Sequence, residues 1–308
     1  MGNLRTRARI YSAIRRFFED NRYLEVDTPC RIPAPMPEAN IRPQPSGDWF
    51  LHTSPEICMK QLLVRGLDRI YQLSKTFRQQ ERGKKHLPEF TLLEWYRLKS
   101  DYHDLMAETE SLIRFVAEQV ADKTAGRTAT ALPYQDRAID LSPDWPKITV
   151  AEAFDRYAGI SLETVLNGPS PADRFDQCMG CTIEPHLGWD RPVFLYDYPA
   201  ALGAAFARLK ADDALVAERF ELYIGGLELC NGFSELTGTA AYRQRFEVEN
   251  RLRHTRLQAA YPLPERFLEA VEDMPDAAGN ALGIDRLVML FCNTARIDDV
   301  VAFTPEML

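Results

Sequence analysis

No apolar run in the 308 residues approaches the ~18 needed to span a bilayer, and the basic start MGNLRTRARIY lacks the apolar stretch of a signal peptide. Neither membrane insertion nor secretion is therefore expected, and a cytoplasmic protein is. Cysteine is sparse: Cys30, Cys58, Cys178, Cys181, Cys230 and Cys292 are scattered instead of forming a dense framework, which fits a reducing compartment. Positive charge is in deficit, with 37 Lys and Arg against 45 Asp and Glu for a net charge of -8, so no global field draws the chain to nucleic acid. With five histidines in all, Cys178-Met-Gly-Cys181 has only His186 nearby, and plain thiols are a simpler reading than a zinc or redox site. Internal repeats and low-complexity tails are also missing. One large domain carrying an insertion is expected, and 45% hydrophobic residues suffice for its core.

What is present is a mixture of helical and strand periods. Apolar positions at helical spacing predict a helix over 4–21, and LEVDTP predicts a short strand stopped by Pro29. Clustered prolines from Pro33 to Pro45 predict an extended loop, followed by a strand at 49–52 and a helix at 55–64. A helix is expected over 101–120, a connector over 121–141 and a mostly helical insertion from about 145 to 190. Strands are expected at 193–198, 217–224 and 227–230, then a charged helix at 240–257 and a closing helix at 281–290 behind Gly279.

Three places could carry chemistry. In FRQQERGKKHLPEFTLLEWY, residues 77–96, two strands flank a loop holding Arg78, Lys84, Lys85 and His86, and period two puts Phe90, Leu92, Glu94 and Tyr96 on one face. Taken alone it is equally an ordinary hairpin with a solvated basic loop. In ELYIGGLELCNGFSEL, Gly225-Gly226 suits a two-residue hairpin turn. Tyr223 then faces Glu228, with Glu221 and Glu228 as diagonal neighbours about 7 to 8 Å apart, a spacing that one cation could bridge. Asn231 and Glu235 are expected in a bend just beyond. In GNALGIDRLVML, residues 279–290, glycines allow close backbone approach and Arg286 sits in the first turns of an apolar helix, where an arginine suits a phosphate or an ordinary salt bridge.

Together LEVDTP, FRQQERGKKHLPEFTLLEWY and GNALGIDRL resemble motifs 1, 2 and 3 of class II aminoacyl-tRNA synthetases, and TSPE with IGGLELCNGFSEL narrows this to the lysyl group. The resemblance runs from about Arg5 to Phe303. Lysyl-tRNA synthetases place an anticodon-binding barrel before motif 1, and some two dozen residues leave no room for one here. The chain therefore resembles the truncated paralogues that ligate a lysine, (R)-β-lysine by preference, onto elongation factor P. Ala281, where true lysyl synthetases usually carry glycine, agrees.

The resemblance implies an α+β fold, an antiparallel sheet of six or seven strands flanked by helices, dimerising through motif 1. It implies ATP and Mg²⁺ as cofactors. Arg78 would meet the α-phosphate and the substrate carboxylate, His86 and Arg286 the terminal phosphates, and Phe90 the adenine. Gln80, Leu87, Glu228, Leu229 and Gly283 would complete the nucleotide side. Glu56 would bind the backbone-side amine, Tyr96 and Glu235 the ε-ammonium, and Asn231 the carboxylate, with Ser54, Glu94 and Ala281 lining the same pocket. Glu221 and Glu228 would hold Mg²⁺. Two positions depart from the family pattern: Gln80 replaces the motif 2 glutamate and Leu87 the asparagine after the loop histidine. A ligase for tRNA or a small amine, and a non-catalytic paralogue, remain as alternatives, the acidic balance counting against RNA.

Overall fold

The computed structural model describes residues 2–121, 128–203, 206–255 and 258–308. Helix α1 (Gly2–Asp20) buries Ile10, Ala13, Ile14, Phe17 and Phe18, the stripe that its spacing predicts. Four short strands follow: β1 (Leu24–Glu25), β2 (Arg31–Ile32), β3 (Gln44–Ser46) and β4 (Trp49–Leu51). The motif 1 strand is thus shorter than expected, and the proline-rich loop is bracketed by a small sheet of order β2-β4-β3 that its composition had not suggested. Helix α2 (Glu56–Val64) leads to the long hairpin of β5 (Arg69–Phe77) and β6 (Glu89–Leu98). Helix α3 (Tyr102–Gln119) starts at Asp101, whose carboxylate accepts from the His103 and Asp104 amides.

The expected connector over 121–141 lies partly outside the described residues, and its remainder forms a hairpin of β7 (Ala131–Tyr134) and β8 (Arg137–Asp140). The segment expected to be an insertion opens with β9 (Lys147–Thr149) and continues through α4 (Val150–Ala153), α5 (Leu162–Leu166) and α6 (Pro171–Cys178). Then come β10 (Val193–Pro199), α7 (Ala200–Gly203), β11 (Val216–Ile224) and β12 (Leu227–Ser234). Helix α8 (Thr239–Thr255) ends the charged stretch, of which residues 256–257 lie outside the described residues. The chain closes with α9 (Glu265–Ala270), β13 (Ala277–Gly283) and α10 (Ile284–Phe291).

Two expectations are corrected here. The closing helix does not begin at Ala281: residues 277–283 are strand β13, and helix starts at Ile284. Helical period in GNALGIDRL was real only for its second half, because small residues can pass between two strands where no larger side chain fits. Gly279 shows this, since a Cβ there would sit 2.3 Å from Tyr96 Cε1 and 2.4 Å from Glu235 Oε1. The second correction concerns the bend after Cys230, which is instead a continuation of β12, with Asn231 paired to Glu221 and Ala281.

The main sheet has eight strands in the order β1-β5-β6-β13-β12-β11-β10-β9. The inner six are antiparallel, as expected, and the parallel edge strands β1 and β9 raise the total. One sheet face packs on α1, α3 and α10 through residues such as Phe18, Leu93, Trp95 and Met289. Against the other lie α2, α8 and α9 around Met59, Tyr242 and Phe267, while the insertion has its own cluster around Phe154, Phe175 and Tyr198. Among the described residues no helix is long and apolar enough to cross a membrane.

Candidate active site

On the α2 side of the sheet a cavity of about 530 Å³ opens between β6, β12 and β13, roofed by the proline-rich loop and the β5–β6 loop. Alternation along β6 turns Trp95 into the core and directs Phe90, Leu92, Glu94 and Tyr96 to the cavity wall. Ser54, Glu56, Arg78, Gln80, His86, Leu87, Glu228, Leu229, Asn231, Glu235, Ala281, Gly283 and Arg286 line the same cavity. Of the site residues that the resemblance implies, Glu221 alone is not part of the cavity lining.

A bulge in β12 decides what faces this space. Gly225 and Gly226, at φ +59° and +68°, make the tight turn, and Tyr223 faces Glu228 as expected. One residue further the register slips, so that Glu221 pairs with Asn231 and Leu222 with Cys230. Without the slip Cys230 would share the face of Glu221. With it, Asn231 enters the cavity and Cys230 turns into the core beside Asn280. Arg219, which the motif reading missed, orients that amide: its Nε donates to Asn231 Oδ1 at 3.0 Å. The signal was its place two residues before Glu221 on the same strand face.

The two ends of the cavity are electrostatically opposite. At the floor, Glu94 is 1% exposed and accepts from Ser54 Oγ at 2.6 Å and from the Tyr96 hydroxyl at 3.0 Å. Burial, with Glu56 adding to it, pushes the Glu94 carboxyl up to about 8 against the two hydrogen bonds that lower it. Glu235 is fully buried, and its Oε2 lies 2.5 Å from Lys60 Nζ. Its Oε1 has no hydrogen-bond donor among the described residues. Glu38, reached from the proline-rich loop and also missed, is pushed up to about 7 by burial, opposed by Arg78.

The mouth is cationic. Arg286 Nη2 donates to His86 Nε2 at 2.7 Å and its Nη1 to the Glu228 carbonyl at 2.7 Å. Burial and the Arg286 charge lower the His86 pKa, so the ring stays neutral and accepts. Arg78 lies over the Phe90 ring, 5.1 Å from its centroid, and its Nε is buried without a partner among the described residues. Gln80 Oε1 accepts from Arg42 Nη1 at 2.8 Å, which gives the amide at the motif 2 glutamate position a use of its own.

Glu221 Oε1 lies 2.5 Å from Arg219 Nη2, and its Oε2 accepts from the Tyr198 and Tyr223 hydroxyls at 2.6 Å each. Burial raises the Glu221 pKa against the pull of Arg219. Glu184, from the insertion, is pushed up to about 7 by burial and then by Glu221 and Glu228. Among the described residues no three ligand side chains stand at metal-binding geometry. An oxygen-only pair such as Glu221 and Glu228 nevertheless has the chemistry of a Mg²⁺ site completed by phosphate oxygens. Cys178 and Cys181 are free thiols away from this region, and His186 Nδ1 is taken by the Thr182 carbonyl at 2.8 Å.

The comparisons with known proteins agree with this geometry. Residues 1–307 match the model of the tRNA synthetases class II (D, K and N) family. The elongation factor P–(R)-β-lysine ligase of Edwardsiella ictaluri is 40% identical over 322 aligned residues, covering 99% of this chain and 96% of that protein. Its namesakes from Enterobacter sp. (strain 638) and Pectobacterium carotovorum subsp. carotovorum are each 39% identical, covering 99% of this chain and 95% and 96% of those proteins. The chain therefore belongs to the class II tRNA synthetase (D, K and N) family and, within it, to the group of the elongation factor P–(R)-β-lysine ligases.

Proposed function

We propose that this protein activates a lysine, (R)-β-lysine in preference to L-lysine, with ATP and transfers it to a lysine side chain of elongation factor P. The observation that carries the reading is the charge gradient of one cavity. A buried floor of Glu56, Glu94 and Glu235, with Glu235 Oε1 lacking a donor among the described residues, calls for ammonium groups, and a mouth of Arg78 and Arg286 calls for phosphates. A diammonium acid placed beside ATP satisfies both ends. The names of the relatives supply the acceptor and the favoured isomer.

In the first step a substrate carboxylate oxygen bonds to the α-phosphorus of ATP, the bond to the bridging oxygen of the β-phosphate breaks, and pyrophosphate leaves. Arg78 neutralises charge on the α-phosphate while stacked on the wall that Phe90 forms for adenine, and Arg286 with His86 holds the terminal phosphates. Glu56 and Glu94 take the backbone-side amine, Tyr96 and Glu235 the ε-ammonium, and Asn231, its Oδ1 engaged by Arg219, turns its NH₂ to the carboxylate. Gln80, Leu87, Leu229 and Gly283 enclose the nucleotide, and Ser54 and Ala281 shape the amino-acid end. Glu221 and Glu228 would hold Mg²⁺, which supplies charge neutralisation on the phosphates. In the second step the neutral ε-amine of the acceptor attacks the carbonyl of the adenylate and AMP leaves. The reading includes a cytoplasmic homodimer formed through motif 1, whose Leu24 is 52% exposed.

The test is ATP–pyrophosphate exchange with (R)-β-lysine, L-lysine and no amino acid. Exchange that favours (R)-β-lysine and falls about 10³-fold in Arg78→Ala is expected from loss of a cation acting on the transition state. Absence of exchange with either lysine overturns the reading.

A further inference from the structure

Lys60 lies on α2 one turn beyond Glu56, and its side chain is fully buried. Its Nζ is paired with Glu56 Oε1 and, at 2.5 Å, with Glu235 Oε2, and it donates to the Tyr242 hydroxyl at 3.1 Å. The Phe233 and Tyr242 rings lie 5.2 and 5.4 Å from it. Among the described residues Lys60 is the one cation paired with either carboxylate. A purely structural ion pair closes on itself and satisfies both partners. This one does not, because Glu235 Oε1 is buried without a donor and Glu56 borders the cavity.

We propose that Lys60 is a positioning residue for the substrate: its ammonium, shared between Glu56 and Glu235, holds both carboxylates turned so that each keeps an oxygen edge for an incoming ammonium. The inference rests on the amino-acid pocket assigned above and goes beyond it, since Lys60 touches no substrate atom. The groups that face it are Glu56 from α2, Glu94 from β6, Glu235 just beyond β12 and Tyr242 from α8, with Glu38 near Glu56 from the roofing loop. Three carboxylates packed together without a cation shed their mutual repulsion by taking up protons, and a neutral acid is a poor ammonium site. Burial alone would discharge Lys60, yet Glu235 and Glu56 raise its pKa well above the ordinary value, so the ammonium persists. Burial, with Glu56 and Glu94 adding to it, pushes the Glu235 carboxyl up to about 8, and Lys60 opposes that rise.

The experiment compares the full-length wild type with Lys60→Gln and Lys60→Arg in ATP–pyrophosphate exchange, using (R)-β-lysine, L-lysine and 6-hydroxynorleucine, whose ε-amine is a hydroxyl. Lys60→Gln is expected to raise KM for the lysines by about 30-fold or more while KM for ATP stays within about twofold, and to narrow the preference for lysine over the hydroxyl analogue. The acidic limb of kcat/KM for the amino acid moves to higher pH, because Glu235 loses the cation that lowers its carboxyl. Lys60→Arg keeps the charge and so restores the limb, if not all of the affinity. Equal changes in both KM values, or a limb that does not move, overturn the proposal. Should Lys60→Gln not fold by circular dichroism, Lys60→Arg decides: raised lysine KM at unchanged ATP KM supports the role, and parallel changes overturn it. A wild type inert to every lysine removes the assigned pocket and this role with it, whereas an active wild type matched by Lys60→Gln removes only the role of Lys60.

Discussion

The two ends of the cavity are built in different ways. The acidic floor rests on strands and one helix: Glu94 and Tyr96 on β6, Glu235 immediately after β12, Glu56 on α2, with Tyr96 and Glu94 almost fully buried. The cationic mouth rests on a loop, where His86 and Lys85 are exposed and the conformation depends on few links. They include the Gly83–His86 backbone bridge, the Arg286 bonds, the Ile297 amide on the Lys84 carbonyl, Arg42 on Gln80, Lys85 on the Gly226 carbonyl, and Arg82 on Glu306 and Asp298. A rigid buried end discriminates a small cationic substrate, since misfit there leaves charges unpaired. A loop-borne end can close over a nucleotide and open again.

The sharpest way to break this contrast is Glu235→Gln. Removing a buried carboxylate leaves Lys60 with Glu56 as its one carboxylate partner, so amino-acid affinity is expected to fall by about 10²-fold or more and stability by about 3 kcal/mol, with ATP binding little changed. Calorimetric titration of each ligand, with thermal unfolding, checks both. Next is Gly279→Ala, whose methyl would overlap Tyr96 and Glu235. Overpacking of about 1 to 3 kcal/mol is expected at the amino-acid end alone, read as raised lysine KM at constant ATP KM.

Acidity sharpens the comparison. Glu94 has its carboxyl raised from 4.5 to about 8, so the empty pocket holds a proton there that an incoming ammonium must expel. Affinity for the amino acid should therefore rise with pH up to about 8, by at most about tenfold per unit, while ATP affinity does not follow. Because the folded value exceeds the unfolded one, this group also withdraws stability as pH rises from 4.5 toward about 8. Titrations and melts across that range test both signs. The smallest effect is expected from Arg82→Ala, which removes an exposed latch of the mouth: ATP KM rises about twofold to threefold and the melting temperature does not move measurably.

Much of this was legible beforehand. Period two along FTLLEWY put Phe90, Glu94 and Tyr96 on one face, and the two glycines marked the turn that sets Tyr223 against Glu228. What escaped was information not carried by local period. Strand β13 looked helical because GNALG has too few large side chains to show alternation. The β12 bulge has no sequence mark of its own, yet it exchanges Cys230 for Asn231 in the cavity. Lys60 carries no mark of its own in the sequence, since a lysine one helical turn after a glutamate is ordinary on a helix surface.

By itself the sequence determined most of the helices and long strands and the faces of those strands, because these follow from spacing, while the side chains that would bind ATP and a diamine came through the resemblance to lysyl synthetases. The tertiary structure alone decided the pairing of β12 with β13, the burial that raises Glu94 and the insertion of Lys60 between Glu56 and Glu235. Each of these depends on contacts between residues far apart in the chain, where desolvation and charge act through space and not along the sequence.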